Sequence, residues 1–592
     1  MFLKTIAPRT LPALASACML SAAMPAFASG ATTAPVDPAP VAFDVEHAVT
    51  IPSVEAINST ISDDVLTAIL SGDIADHADE LAGLNATSIT VPEILVSVSS
   101  TSGDDSYQTS ITLTDLVLTD IVDGIAGAVT LGGIDMTTDK TSASFGTMSA
   151  ANFNIGQLLA VYGLVDTGRT GIETIYTDFS SIGGSLTGED IDCDIGAAGG
   201  AEFKARPLKT SFLDMMAIAQ AMEGEPDDID PAMIGQIARM YADIFTAFET
   251  SEITFEGISC EGFDDDGAAI SVGLDGMVMG PMSPGIYPSF SMDGFSIVME
   301  EDGALSLDNL TIKPTDLNNI VALLENLPDD VDEAWFDANA RLLVPAMEGL
   351  SFAGFAMDVP DPDGGDYRIK ASISAFDLSL ANYINGIPSD LDISLDNVRA
   401  TLPDSDDEAI EQLRALGITE LDASLRFAAA WDEATSTIDI REISASGVDL
   451  ASVTLAGTIA NAGADLFSLD ENEALMAGMG VALKALDMRL VDAGLADLIL
   501  SVAAAEQGGS PEQLRLIYAD LAKGTIIGVL AGVADAAKLG DAVSTFVSGA
   551  AKTLEIGITA KDDPGIGMMD VMAAEEDPSS LLGKVNITAV SK

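Results

Sequence analysis

Asp190, Asp192 and Asp194 alternate through one short stretch, with Cys193 between the last two and Cys260 further along. Asp-x-Asp-x-Asp is how a calcium loop begins, because a hard cation takes oxygen ligands from alternate positions of a tight turn. An EF-hand loop would then need Gly where Ile195 stands and Glu where Ala201 stands. The motif therefore supports weak calcium binding at most, the other reading being a solvated turn; Asp361-Pro362-Asp363-Gly364-Gly365-Asp366 is a second acidic turn. Cys193 and Cys260 form either a disulfide or two buried thiols. A disulfide would close a loop of about 67 residues and contribute about 4 kcal/mol in the chain-entropy model. Neither cysteine has a His or Cys at zinc-ligand spacing.

Acid–base chemistry is poorly provided for. The only histidines are His47, beside a linker, and His77, within an acidic helical stretch, and nothing marks a nucleophile or an orienting acid for either. H-E-x-x-H, G-x-S-x-G and P-loop sequences are absent, and Gly565-x-Gly567 lacks a third glycine and a preceding strand. Paired carboxylates run glycoside hydrolysis, but 93 acidic residues single out no pair. Trp335 and Trp431 are the only tryptophans, too few for a sugar-stacking platform. The expectation is a protein without catalytic residues or a cofactor. Methionine is plentiful on helical and sheet segments (Met215, Met216, Met222, Met233, Met240, Met277, Met279, Met292, Met299). It reads as core filler or as the lining of an adaptable apolar groove.

Composition restricts partners and compartment. Lys4 and Arg9, the apolar run from Leu11 to Met24, and Ala26-Phe27-Ala28 read as a secretory signal over residues 1–28, cleaved near Ala28. A lipoprotein signal ending at Cys18 is the weaker alternative. Losing Lys4 and Arg9 leaves 23 basic residues against 93 acidic, a net charge of −70. Such a surface repels phosphate, so nucleic acid and anionic headgroups are excluded as general electrostatic partners. Yet 48% of the residues are hydrophobic, enough to fold rather than remain disordered. No apolar run beyond residue 28 is long enough to span a bilayer as a helix, so the mature chain is expected to lack a transmembrane segment. A periplasmic or secreted location follows.

The elements that would position any site carry a recurrent pattern: apolar-x-apolar, two residues, apolar-x-apolar. It occurs at Ile111–Leu118, Val129–Met136, Ile253–Cys260, Phe290–Ile297, Leu305–Ile312 and Leu350–Met357, with looser copies at Ile393–Ala400 and Ile443–Leu450. Composition alone would give about two strict matches, so the six are an architectural signal. Alternation buries one face of a strand, and a step of three between apolar residues would turn that face to water unless the backbone compensates. A β-bulge at the central pair compensates and bends the strand; a two-residue hairpin turn is the rival, best suited to Asp293-Gly294.

Helical spacing appears at about 154–164, 211–248, 316–343 and 406–416. It dominates the last third, at Glu471–Met479, Ala493–Glu506, Pro511–Leu530 and Asp541–Ser548, before strands at Thr553–Ala560 and Val585–Val590. Many acids precede these helices as caps: Asp227–Asp230, Asp329-Asp330, Asp404–Glu408, with Thr315 and the Ser510-Pro511-Glu512-Gln513 capping box. The predicted organisation is a signal peptide (1–28), a linker (29–42), a β-rich body (43–465) and a helix-rich region (466–592) continuous with it. The fold class is α+β: an elongated, curved antiparallel β-sheet with bulged strands and short helices packed along it.

Leucine-rich strands centred on Asp-Asn, Leu305-Ser306-Leu307-Asp308-Asn309-Leu310 and Ile393-Ser394-Leu395-Asp396-Asn397-Val398, resemble strands of the AsmA-like envelope proteins. Over about residues 90–460 that resemblance implies a β-groove associated with lipid handling between membranes. Phe546 to Ala589 resembles uncharacterised exported bacterial proteins and implies no activity. The expected function is that of an exported, non-enzymatic envelope protein sheltering a lipid or other apolar small molecule. A structural or adhesive surface protein with a self-filled core is the alternative.

Overall fold

The computed structural model describes residues 44–592 except 103–104, 211–230, 265–266, 301–302, 329–330, 332, 362–366, 405–407, 416, 508, 531–535 and 577–578. The signal peptide, the linker, Met215, Met216, Met222, the Asp227–Asp230 and Asp329-Asp330 caps, and most of the Asp404–Glu408 and Asp361–Asp366 runs lie outside the described residues. The fold is α+β, and its described strand pairings are antiparallel. Two compact units divide the chain, a first ending at Ala304 and including Pro314–Asp337, and a second of Leu305–Lys313 and Ala338–Lys592. The second unit holds together across residue 465, where the sequence suggests a change of character.

In the first unit the strand Ala86–Ser102 pairs along its length with Asp105–Val122. The strands that follow are each interrupted at one level. Ile125–Leu131 and Gly133–Thr138 return along Asp105–Val122 as two halves, and Ser142–Phe145 with Met148–Asn154 repeat the arrangement. So do Glu173–Ser181 with Gly184–Thr187, and Ile191–Ile195 with Ala198–Ala205. The broken alternation of the sequence marks this level. Leu113 faces Ile134 and Leu118 faces Val129, so two copies of the pattern lie side by side with their centres aligned. Phe255 faces Met277 and Ile258 faces Leu274 in the same way.

This corrects the expected bulge. No residue is inserted at these centres, because neighbouring strands break step together and keep their register on both sides. The compensation is a left-handed residue, at Asp115 (φ 51), Gly257 (φ 90), Gly294 (φ 66) and Gly354 (φ 67), which returns the next side chain to the face just left. A true register shift at a repeat centre occurs between Leu395 and Val398, where Asn397 has φ 49. The loose copy at Ile443–Leu450 differs again: its strand ends at Gly447, and Val448 to Leu450 form the turn into Ala451–Ala460.

Three buried clusters gather in the first unit. One surrounds Leu84, Val91, Ile121 and Ala126, and a second surrounds Ile175, Phe203, Ala247 and Phe248. The helix Pro231–Ala247 is tied to the second by an ion pair, Arg206 Nη1 to Asp243 Oδ1 at 2.7 Å, while Asp243 Oδ2 accepts the Lys209 amide proton at 2.6 Å. The third contains Ala143, Leu186, Cys193 and Cys260. Most of the predicted helices form: Ile155–Val161, Asn318–Glu325, Glu333–Asn339, Glu408–Ala415, Glu471–Gly480, Leu495–Gln507, Pro511–Val529 and Ala536–Val547. The Ser510 cap is present, its Oγ accepting the Gln513 amide proton at 3.3 Å. Thr315 is not a cap. It lies on a short strand, and Asp316 Oδ1 accepts the Asn318 amide proton at 2.8 Å instead.

A Cβ on Gly257 would meet the Leu274 carbonyl oxygen at 2.0 Å, whereas one on Gly478 would meet open space. Gly257→Ala is expected to cost about 1–3 kcal/mol, the scale of a forced backbone conformation. Gly478→Ala, inside the helix Glu471–Gly480, should gain about 0.5–1 kcal/mol. Urea unfolding of the two variants against the parent checks both signs.

Candidate functional site

The three aspartates of the calcium-like motif do not form a loop. Asp192 and Asp194 lie on the strand Ile191–Ile195, and strand alternation sets them on its exposed face, with Cys193 buried on the other. Side chains two apart on an extended strand stand side by side on one face instead of wrapping a common centre, which corrects the expectation of a turn that wraps a cation. Among the described residues no group of three or more His, Cys, Asp or Glu is placed to hold a metal ion. Cys193 faces Cys260 across the antiparallel pair, and the two are joined by a disulfide with Cα atoms 4.0 Å apart.

His47 lies on the strand Asp44–Thr50, and the ring of His77 is 3.1 Å from Glu80. The helical stretch around His77 is broken into short turns, with Gly72 at φ 131. The indole N–H of Trp431 donates to the Ala462 carbonyl at 2.7 Å, and its ring meets Phe467 edge-on. Among the described residues no helix is long and apolar enough to cross a membrane.

The arrangement with most chemical content is a sheet face in the second unit. Registers from Gly349–Pro360 through Arg368–Ile384, Ile387–Thr401, Glu420–Asp432, Thr437–Gly447, Ala451–Ala460, Ala482–Asp492 and Thr553–Ala560 line up apolar side chains in rows. One row runs Phe352, Phe376, Leu395, Leu425, Ala445, Val453, Leu490, Leu554. The next runs Leu350, Leu378, Ile393, Phe427, Ile443, Leu455, Met488, Ile556. Phe352 and Phe376 stack with centroids 5.2 Å apart. Apart from Leu554, both rows are half-buried or exposed. On Glu420–Asp432 the usual order is reversed: Leu421, Ala423, Leu425 and Phe427 are exposed, Leu425 at 52%, while Asp422 and Ser424 are half-buried. All three buried clusters belong to the first unit.

The opposite face is organised by charge. Arg426 reaches Asp392 at 2.9 Å, Arg441 reaches Asp390 at 2.6 Å, and Arg399 reaches Asp422 at 2.8 Å. The Asn397 amide, then the Arg399 guanidinium, hold the Asp422 carboxyl below the usual carboxylate range. Lys313 Nζ donates to Asp377 and Ser379 at 2.7 and 2.6 Å. Burial pushes the Asp377 carboxyl up, but the Lys313 and Ser379 hydrogen bonds outweigh it, and the net shift is down.

Asp492 shows how an acid becomes structural here. Its Oδ1 accepts the Gly494 and Ala496 amide protons at 3.2 and 3.0 Å, opening the helix Leu495–Gln507, and Lys552 Nζ donates to Oδ2 at 2.9 Å. Burial raises its pKa, yet the Ala496, Lys552 and Gly494 donors outweigh that and leave it below the ordinary value. A lowered folded-state value stabilises above the unfolded pKa of about 3.9 and is lost as pH falls through the folded value. Asp492→Asn should therefore cost about 1–3 kcal/mol at pH 7. Its deficit against the parent should shrink below about pH 4, measured by urea unfolding across that range.

Sequence reasoning picked out the strand alternation but missed exposed methionines on the helices Glu471–Gly480 and Met568–Glu576; the signal was Met476-x-x-Met479 and Met568-Met569-x-x-Met572. No curated protein and no solved structure matches the chain. Over residues 444–592 it is similar to a family described as "Uncharacterized protein".

Proposed function

We propose that this is an exported, non-enzymatic envelope protein, periplasmic or secreted, whose second unit shelters an acyl chain or similar apolar ligand on its sheet. The observation that carries this reading is the reversed strand Glu420–Asp432, with Leu425 and Phe427 exposed in the middle of the two apolar rows and Leu421 exposed on the same strand. At roughly 25 cal/mol per Å² of apolar surface, leaving such rows open is costly unless a ligand covers them. The likeness of the Asp-Asn-centred strands to AsmA-like envelope proteins and the signal-like first 28 residues support the same reading.

Native mass spectrometry of the mature chain tests it. Lipid or fatty acid should co-purify at defined stoichiometry, and Leu425→Asp with Phe427→Asp should reduce it by about tenfold or more with an unchanged circular dichroism spectrum, because a charge on the face opposes an apolar ligand. If neither the purified chain nor the chain reconstituted with fatty acid carries any ligand, the reading fails. The structural or adhesive alternative then takes its place.

A further inference from the structure

The five exposed methionines have a distribution that core filling does not explain. Met476 and Met479 lie on the helix Glu471–Gly480, and Met568, Met569 and Met572 on Met568–Glu576, each between 50 and 76% exposed. The other methionines with described side chains, including Met136, Met240, Met292 and Met488, are buried or half-buried. All the exposed ones therefore belong to two helices, and the sheet brings those helices together. Gly567 pairs with Ala482, the first residue of the strand Ala482–Asp492. The last turn of one helix and the first turn of the other thus leave the same strand end, from backbones about 5 Å apart. Within each helix the spacings are i,i+3 (476/479 and 569/572) and i,i+4 (568/572), which set side chains on a common face.

An apolar docking patch would be served as well by leucine. What methionine adds is the thioether, a neutral, soft, polarisable ligand that selects a soft monovalent cation over hard ones. Two nearby carboxylates are engaged: Asp570 accepts from the Gly567 amide at 3.1 Å and from Lys584 Nζ, and Asp470 caps its own helix. Cys193 and Cys260 are bonded to each other. Thioethers bring no charge to neutralise the metal, but the Glu471 and Glu473 carboxylates in the first turn of Glu471–Gly480 and the chain's net charge of −68 attract a cation. We propose that Met476, Met479, Met568, Met569 and Met572 form a binding site for Cu(I), or chemically equivalent Ag(I), built from thioethers of two helices. The site is independent of the apolar sheet face and of any ligand on it.

The test titrates the mature chain with Cu(I) under anaerobic reducing conditions against a competing chelator, and with Ag(I) as a redox-inert probe. One equivalent should bind per chain, and X-ray absorption of the copper form should show a sulfur-only shell. Met→Leu changes keep volume and apolarity while removing the sulfur, so the helices should survive them. Met476→Leu with Met479→Leu, and separately Met569→Leu with Met572→Leu, should each weaken binding by about tenfold or more with unchanged circular dichroism, one decade being about 1.4 kcal/mol. Replacing all five should abolish it. Failure of the parent to retain either ion in competition overturns the proposal. So does metal held equally well by the parent and the two double variants, or a shell of oxygen or nitrogen.

Discussion

The structure depends on a shared break in strand alternation. A strand that must keep its apolar side chains on one face across an odd step needs a residue of unusual backbone conformation, and that residue disturbs the ladder on both sides. The disturbance is absorbed by giving each neighbour its own break at the same level. Asp115 is matched by Gly132-Gly133, and Gly257 by Gly196-Ala197 on one side and Asp275 on the other, with register unchanged above and below. Within the first unit the break is therefore cooperative. A strand that lost it would present the wrong face to two neighbours.

What lies on those faces differs between the units. In the first, a single row passes through Met136, Ala143, Leu186, Cys193, Cys260 and Val272, and its middle is both buried and cross-linked. In the second, rows of similar composition stay half-open, while the polar face is held by Arg–Asp pairs and by Asn397, which provides a left-handed backbone and an amide for Asp422. The open rows and the exposed methionines are separate features with separate chemistry. One offers apolar area and the other soft donor atoms.

Much of the framework was legible in the sequence, because short-range periodicity is a local property. The strands Thr553–Ala560 and Val585–Ser591 and the helix behind Ser510 follow from alternation, turn residues and caps that act within a few residues. The candidate sites were less legible. Asp190, Asp192 and Asp194 have the spacing of a calcium loop, yet the spacing says nothing about whether the backbone is extended or coiled. Pairing with Thr187 and Glu261 on either side made it extended. Thr315 looked like a cap for a similar reason, and lost that role when it was drawn into a strand beside Tyr287.

By itself the sequence determined that apolar residues alternate, that acids crowd helix starts, that few residues are fit for acid–base chemistry, and that Gly, Asn or Asp stands at many of the breaks. These are consequences of side-chain type and nearest neighbours. Only the tertiary structure decided that the breaks align rather than slip, that Cys193 meets Cys260, and that Leu425 and Phe427 remain exposed. It also brought Met479 and Met568 to one strand end. Those outcomes depend on which distant segments share hydrogen bonds, and register between strands is set by the summed fit of whole faces, which no local pattern contains.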